Sequence, residues 1–138
     1  MNKVLRTSPP GWFWLVAIFL LLCNGYGVFA YLASVMTSPA AEIAVMSSAP
    51  FWATGAFAVA VFAGLAGAIG LLVKRAWARG MFILSLVAAL IQQVWILFVS
   101  DWLAVSGAQA LLLPLLIDLV AIAGIWFAAR GIHRGWLR

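Results

Sequence analysis

The stretch Phe51–Arg79, FWATGAFAVAVFAGLAGAIGLLVKRAWAR, decides the fold. From Phe51 to Val73 it holds no charged side chain, and a helix of that length, at 1.5 Å per residue, covers the ~30 Å of hydrocarbon in a bilayer. Lys74, Arg75 and Arg79 then follow in quick succession. An apolar run closed by a cluster of cations reads as a membrane span ending on the cytoplasmic side.

Working outward, three further apolar segments of about 20 residues or longer flank this one. They run from about Trp12 to Val35, from about Ala78 to Val99 and from about Ala108 to Ala129. Backbone groups in lipid must be hydrogen-bonded internally, so these segments are helices unless they close a β-barrel. The alternating ten-residue pattern of a barrel is absent. The expected fold is an all-α membrane protein, an antiparallel bundle of four transmembrane helices forming one domain over residues 1–138. Composition agrees. The chain is 67% hydrophobic and 8% charged, with a mean hydropathy of +1.18. Soluble domains average about 45–50% apolar and about 25% charged residues, and this chain has too few polar side chains to cover a sphere of its size. A soluble enzyme, a secreted disulfide scaffold and a disordered chain are excluded.

All eight basic residues fall on one side of this arrangement. Lys3 and Arg6 precede the first span, Lys74, Arg75 and Arg79 lie at the turn between the second and third, and Arg130, Arg134 and Arg138 follow the fourth. The opposite connections, 36–50 and 100–107, carry only Glu42 and Asp101. The positive-inside rule places both termini in the cytoplasm. Trp12, Trp14, Trp77, Trp126 and Trp136 are expected near the inner interface, and Trp52 and Trp102 near the outer one. The net charge of +5 is thereby used in topology and in contact with anionic inner-leaflet lipid, with none left to suggest a nucleic acid. The apolar part of the first span exceeds the 7–15 residues of a signal-peptide core, so it is expected to be an uncleaved anchor.

In the longest connection, Pro39 and Pro50 bracket Ala40–Met46, which is expected to form a short helix on the outer surface. Polar side chains inside the spans are costly and are the best functional clues. Asn24, Gln92, Gln93 and Asp118 all fall within about 5 Å of one level near the bilayer centre. An ionised carboxylate there costs about 2.5–3.5 kcal/mol. Asp118 is therefore expected to face the interior or a subunit interface, with the amides of Asn24, Gln92 and Gln93 as candidate partners. Two readings stand: a proton- or substrate-binding group, or polar glue between helices worth about 0.6–2 kcal/mol per contact. Pro114, one turn before Asp118, cannot donate to the Ala110 carbonyl and is expected to kink the last span, as beside a gate. Ala56, Ala60, Gly64 and Ala68 form a small-residue stripe on the second span, suited to close approach by a helix of this chain or of a second subunit.

Other chemistry is missing from the sequence. Cys23 is the only cysteine and His133, expected beyond the last span, the only histidine. No metal cluster, cofactor motif, phosphate-binding glycine loop or nucleophile–base pair is present, which speaks against an enzyme.

Three motifs carry a likeness: Gly27-Val28-Phe29-Ala30-Tyr31-Leu32, Pro50-Phe51-Trp52-Ala53-Thr54 and Arg134-Gly135-Trp136-Leu137-Arg138. With the four spans, they make the chain similar to a group of small bacterial four-helix membrane proteins often labelled sugar transporters. That resemblance implies a multi-pass protein of the bacterial inner membrane and carries over no binding or catalytic residue. The expected function is a homo-oligomeric, proton-linked carrier or permeation protein using Asp118, Asn24, Gln92 and Gln93, because one short bundle leaves little room for a path of its own. The alternative is a non-catalytic accessory or structural subunit of a larger membrane complex.

Overall fold

Three prolines, Pro10, Pro39 and Pro50, each stand immediately before a helix in extended backbone, where the absent N–H is no loss. They set the starts of α1 (Gly11–Thr37), α2 (Ala40–Ser47) and α3 (Phe51–Leu72). After these come α4 (Trp77–Phe98), α5 (Trp102–Ser106), a 3₁₀ turn over Ala108–Leu111 and α6 (Leu112–His133). The computed structural model describes residues 7–138. Lys3 and Arg6, two of the cations used to assign topology, lie outside them.

Four of these helical segments are long and apolar enough to cross a membrane: Gly11–Thr37, Phe51–Leu72, Trp77–Phe98 and Ala108–His133. The chain is an all-α, four-helix membrane bundle in which α3, α4 and α6 pack in sequence and α1 lies against α3, more lightly against α6. The described cations gather at one end, where α3 turns into α4 and α6 finishes, whereas Glu42 and Asp101 sit at the other.

Helix ends follow local chemistry. The Ser38 backbone is extended because the following Pro39 disfavours the helical region, and this ends α1 two residues beyond Val35. The short helix expected over Ala40–Met46 is α2, with Glu42 in its first turn. Two departures from expectation stand out in the last span. Pro114 is the third residue of α6, among N–H groups that lack helical partners anyway, so where a kink in the outer half of the span is expected the irregularity is a 3₁₀ turn ahead of the helix. At the other end α6 runs on past Ala129 to include Arg130 and His133 in its last turn, where positive side chains suit the helix dipole.

The ends of α3 and α6 share one construction. Arg75 N–H donates to the Gly70 carbonyl and Lys74 N–H to Leu71, a Schellman turn with Lys74 left-handed at φ 56°. Trp136 N–H donates to Gly131 and Gly135 N–H to Ile132, the same turn with Gly135 at φ 72°. The reversal at Gly135 sends the tail back under the bundle. There Arg138 N–H donates to the Lys74 carbonyl (3.0 Å) and Ala76 N–H to the Arg138 carbonyl (2.6 Å). Trp136 and Leu137 are buried at 7% and 4% exposure, and Trp136 packs edge-on against Trp12 and Phe13.

The main core lies at this basic end. It joins Phe13, Ala17 and Leu20 of α1, Ala68 and Leu71 of α3, Ala78 and Phe82 of α4, Phe127 and Ala128 of α6, and the tail. Lipid tails are as apolar as these side chains, so close van der Waals fit and interhelical hydrogen bonds must hold the helices together. Glycine supplies the fit. Phe82 is wedged between Gly67 and Gly124, where an added Cβ would come within 3.0 and 2.6 Å of its ring. The small-residue stripe packs inside the chain: Ala60, Gly64 and Ala68 are buried, and Ser85 Oγ of α4 donates to the Ala60 carbonyl at 2.6 Å. Toward the other end the packing loosens into cavities, and the candidate site lies there.

Candidate functional site

On α6, Asp118 is one turn after Pro114 and one before Ala121, both buried, so its side chain is carried on the packed face of that helix. On α4, Gln93 stands in the same way between buried Ala89 and Ile96. These faces meet, and Gln93 Nε2 donates to Asp118 Oδ2 at 2.7 Å. The second carboxylate oxygen, Oδ1, is buried and has no partner among the described residues. Leaving such an atom unsatisfied costs about 1–3 kcal/mol, so the position calls for an explanation beyond helix adhesion.

The other two polar residues of the expected layer are elsewhere. Asn24 shares depth with Asp118 but lies on the face of α1 that meets α3. Its Nδ2 donates to the Leu20 carbonyl of its own helix at 2.8 Å, and its Oδ1 presses against Gly64. Between α1 and α6, beside Asn24 and Ile117, only about 10 Å³ is open, room for one water-sized probe at most. Asn24 is thus no partner of Asp118 in this arrangement. Gln92 makes no hydrogen bond to Asp118 and lines a cavity toward the acidic end.

That cavity, about 120 Å³, opens between α4, α6 and the connections at the acidic end. Gln92, Trp95 and Ile96 of α4 wall it with Leu113 and Pro114 of α6, Phe57 of α3, Ser34 of α1, and Met46 and Trp102 from the connections. A second space of about 90 Å³ shares Met46, Phe57, Gln92 and Trp95 and reaches Tyr31 and Thr54. The lining of the first is mainly aromatic and aliphatic, with the Gln92 amide and the Ser34 hydroxyl among its polar groups. Ser34 Oγ already donates to the Tyr31 carbonyl. Pro114 lines the cavity four residues from Asp118, about 6 Å along the helix axis, and Gln92 lines it next to Gln93 on α4, so the acid–amide pair borders the deep end of the cavity. A small solute with an apolar body fits such a space, which is below the usual 300–1,000 Å³ of drug-sized pockets. The acid can hold a proton or accept a hydrogen bond there.

Outside the cavity, Ser106 Oγ donates to Glu42 Oε1 at 3.0 Å, tying α5 to α2 over the acidic end. Among the described residues no three His, Cys, Asp or Glu side chains come together as they would around a metal ion. Cys23 is a free, half-buried thiol. Of the residues that matter most to this site, Trp95, Phe57 and Met46 were not signalled by polarity, the only criterion that hydropathy reading offers inside a span. Ser85, polar within a span, belongs to the packing contact with Ala60 and not to this site. No family model matches this chain, and neither a curated protein nor a solved structure matches it.

Proposed function

We propose that the chain is one subunit of a homo-oligomeric, proton-linked carrier or permeation protein of the bacterial inner membrane, with both termini in the cytoplasm and Asp118 as its proton-binding group. The supporting observation is the half-partnered carboxylate bordering the deep end of the cavity, with Gln93 bonded to one oxygen and the other bare. In this reading, Gln93 orients the carboxyl group, and the bare oxygen exchanges a proton when solute or water descends past Gln92 and Pro114. Four helices enclose too little space for a continuous path, so the path is completed between subunits. No catalytic step is assigned to any residue.

The test is proton-driven uptake in liposomes, screened with monosaccharides, to which the likeness in sequence points, and with small apolar cations. Asp118→Asn should fold, insert and lose coupled flux of whichever solute the unaltered protein moves. Uptake in that variant equal to wild type rejects the reading.

A second reading, an accessory subunit of a larger complex, is favoured by the thin packing of α1. This helix buries only Phe13, Ala17, Leu20 and Gly27 among its 27 residues. It predicts co-purification with a larger membrane protein in mild detergent, whereas a discrete homo-oligomer isolated alone from native membranes counts against it.

A further inference from the structure

Lys74, Arg75 and Arg138 line one cavity of about 340 Å³ at the basic end, together with the segment Thr7–Pro9 and Trp136. All three cations are exposed. The whole chain has three acids, and none is at this end: Glu42 and Asp101 belong to the opposite connections, and Asp118 lies within α6. The cavity therefore gathers positive charge with no carboxylate side chain of its own to balance it, and like charges held together favour an anionic guest.

Its walls are built by the backbone. The two Schellman turns stand side by side, the tail is hydrogen-bonded to the α3–α4 turn on both sides of Arg75, through Lys74 and Ala76, and Thr7 Oγ1 donates to the Arg134 carbonyl at 2.7 Å. Lys74 is the non-glycine residue held at positive φ among those described. Glycine would occupy that position without strain and end the helix equally well. A lysine there accepts a backbone penalty and in return places an ammonium on the cavity wall, next to Arg75.

We propose that this cavity binds a phosphate-bearing anion, with Lys74, Arg75 and Arg138 as its charged donors and the Ser8 hydroxyl as a neutral one. Guanidinium and ammonium groups match the several acceptor oxygens of a phosphate, and the volume falls in the range of small-ligand sites. The cavity lies at the rim of the bundle beside Trp136 and Trp12, at the level where interfacial aromatics meet headgroups. The phosphate of an anionic lipid is one source of this chemistry and a soluble phosphate compound the other. The proposal stands apart from the role of Asp118.

The full chain, purified in detergent, is exchanged into nanodiscs of phosphatidylcholine with and without phosphatidylglycerol, and the lipid retained on release is read by native mass spectrometry. In parallel, inorganic phosphate is titrated and followed by phosphorus NMR. Wild type should retain phosphatidylglycerol selectively. Lys74→Gly, Arg75→Gln and Arg138→Gln should each weaken retention about fivefold, the factor matching ~1 kcal/mol per cation near an anionic surface. Lys74→Gly removes the positive-φ strain, so it should melt no lower than wild type and still retain the ligand about fivefold less well. Arg130→Gln, at the same end but outside the cavity, should change nothing. Binding of inorganic phosphate that is lost in the same three variants assigns the site to a soluble compound, and retention of the lipid without it assigns it to a headgroup. Equal retention in all variants, an equal loss in Arg130→Gln, or no anion bound by wild type overturns the proposal.

Discussion

Gln93 and Asp118 are joined by a single 2.7 Å hydrogen bond that crosses from α4 to α6, and the bond satisfies only one of the two carboxylate oxygens. A polar contact between transmembrane helices contributes about 0.6–1.7 kcal/mol in double-mutant cycles. Gln93→Leu, Asp118→Leu and the double variant, unfolded reversibly in mixed micelles, should show a coupling energy in that range. Additive effects would mean the bond contributes nothing to helix association.

Phe82 leaves no room for a methyl group on either neighbouring glycine. Gly124→Ala brings a Cβ within 2.6 Å of the ring and should cost about 1–3 kcal/mol, the usual range for overpacking. Gly80→Ala, on the same helix as Phe82 with nothing within 4 Å, should be neutral or stabilising by up to about 1 kcal/mol. Thermal denaturation in detergent separates the two, and equal shifts would show that Phe82 can move aside.

Gly64 of α3 is faced from both sides, by Asn24 Oδ1 of α1 and Ser85 Oγ of α4. Gly64→Ala should destabilise by about 1–3 kcal/mol. Because the nearest obstacle is the Asn24 side chain, the same change in an Asn24→Ala background should cost much less, a non-additivity expected of residues in contact. Identical costs in both backgrounds would place the strain on Ser85 instead.

The tail is part of the core. Trp136→Ala removes a ring packed on Trp12 and Phe13 and should cost about 3–5 kcal/mol, and Gly135→Ala about 1–2 kcal/mol from its left-handed backbone. Protease sensitivity of the basic end in detergent should rise with both. A melting temperature unchanged by Trp136→Ala would contradict the burial described here.

Topology is open to a direct test. In a Cys23→Ser background, Ser47→Cys and Ser106→Cys should react with a membrane-impermeant maleimide added outside intact cells, and Ser8→Cys should react only after permeabilisation. The reverse pattern would invert the proposed orientation.

The four spans were legible because hydropathy and helix length are one-dimensional properties, and α2 because Pro39 and Pro50 mark its limits in the chain. Depth was legible too: Asn24, Gln93 and Asp118 do lie at comparable distances along their helices. Direction around the helix axis was not. Asn24 follows Leu20 and precedes Gly27, both buried on the face toward the rest of the bundle, whereas Asp118 follows Pro114 on the face toward α4, and a residue count from the membrane surface contains neither fact. The placement of Pro114 depended on where α6 begins, which the 3₁₀ turn delays to Leu112. The buried tail escaped notice for a related reason. Trp136 and Leu137 follow a run of basic residues that reads as solvated, and only the reversal at Gly135 brings them under α1.

That reversal also orders events in time. The hairpin of α3 and α4 is local and can form as soon as both helices have entered the bilayer. The backbone groups of Lys74 and Ala76 that face the tail nevertheless wait for residues translated some sixty positions later. Until α6 has inserted and the chain has doubled back, the ring of Phe13 lacks the indole that covers it. The basic end is thus a latch that closes after the rest of the protein is in place, and a nascent chain stalled before Gly135 would show its quality-control machinery an open seam at the membrane surface.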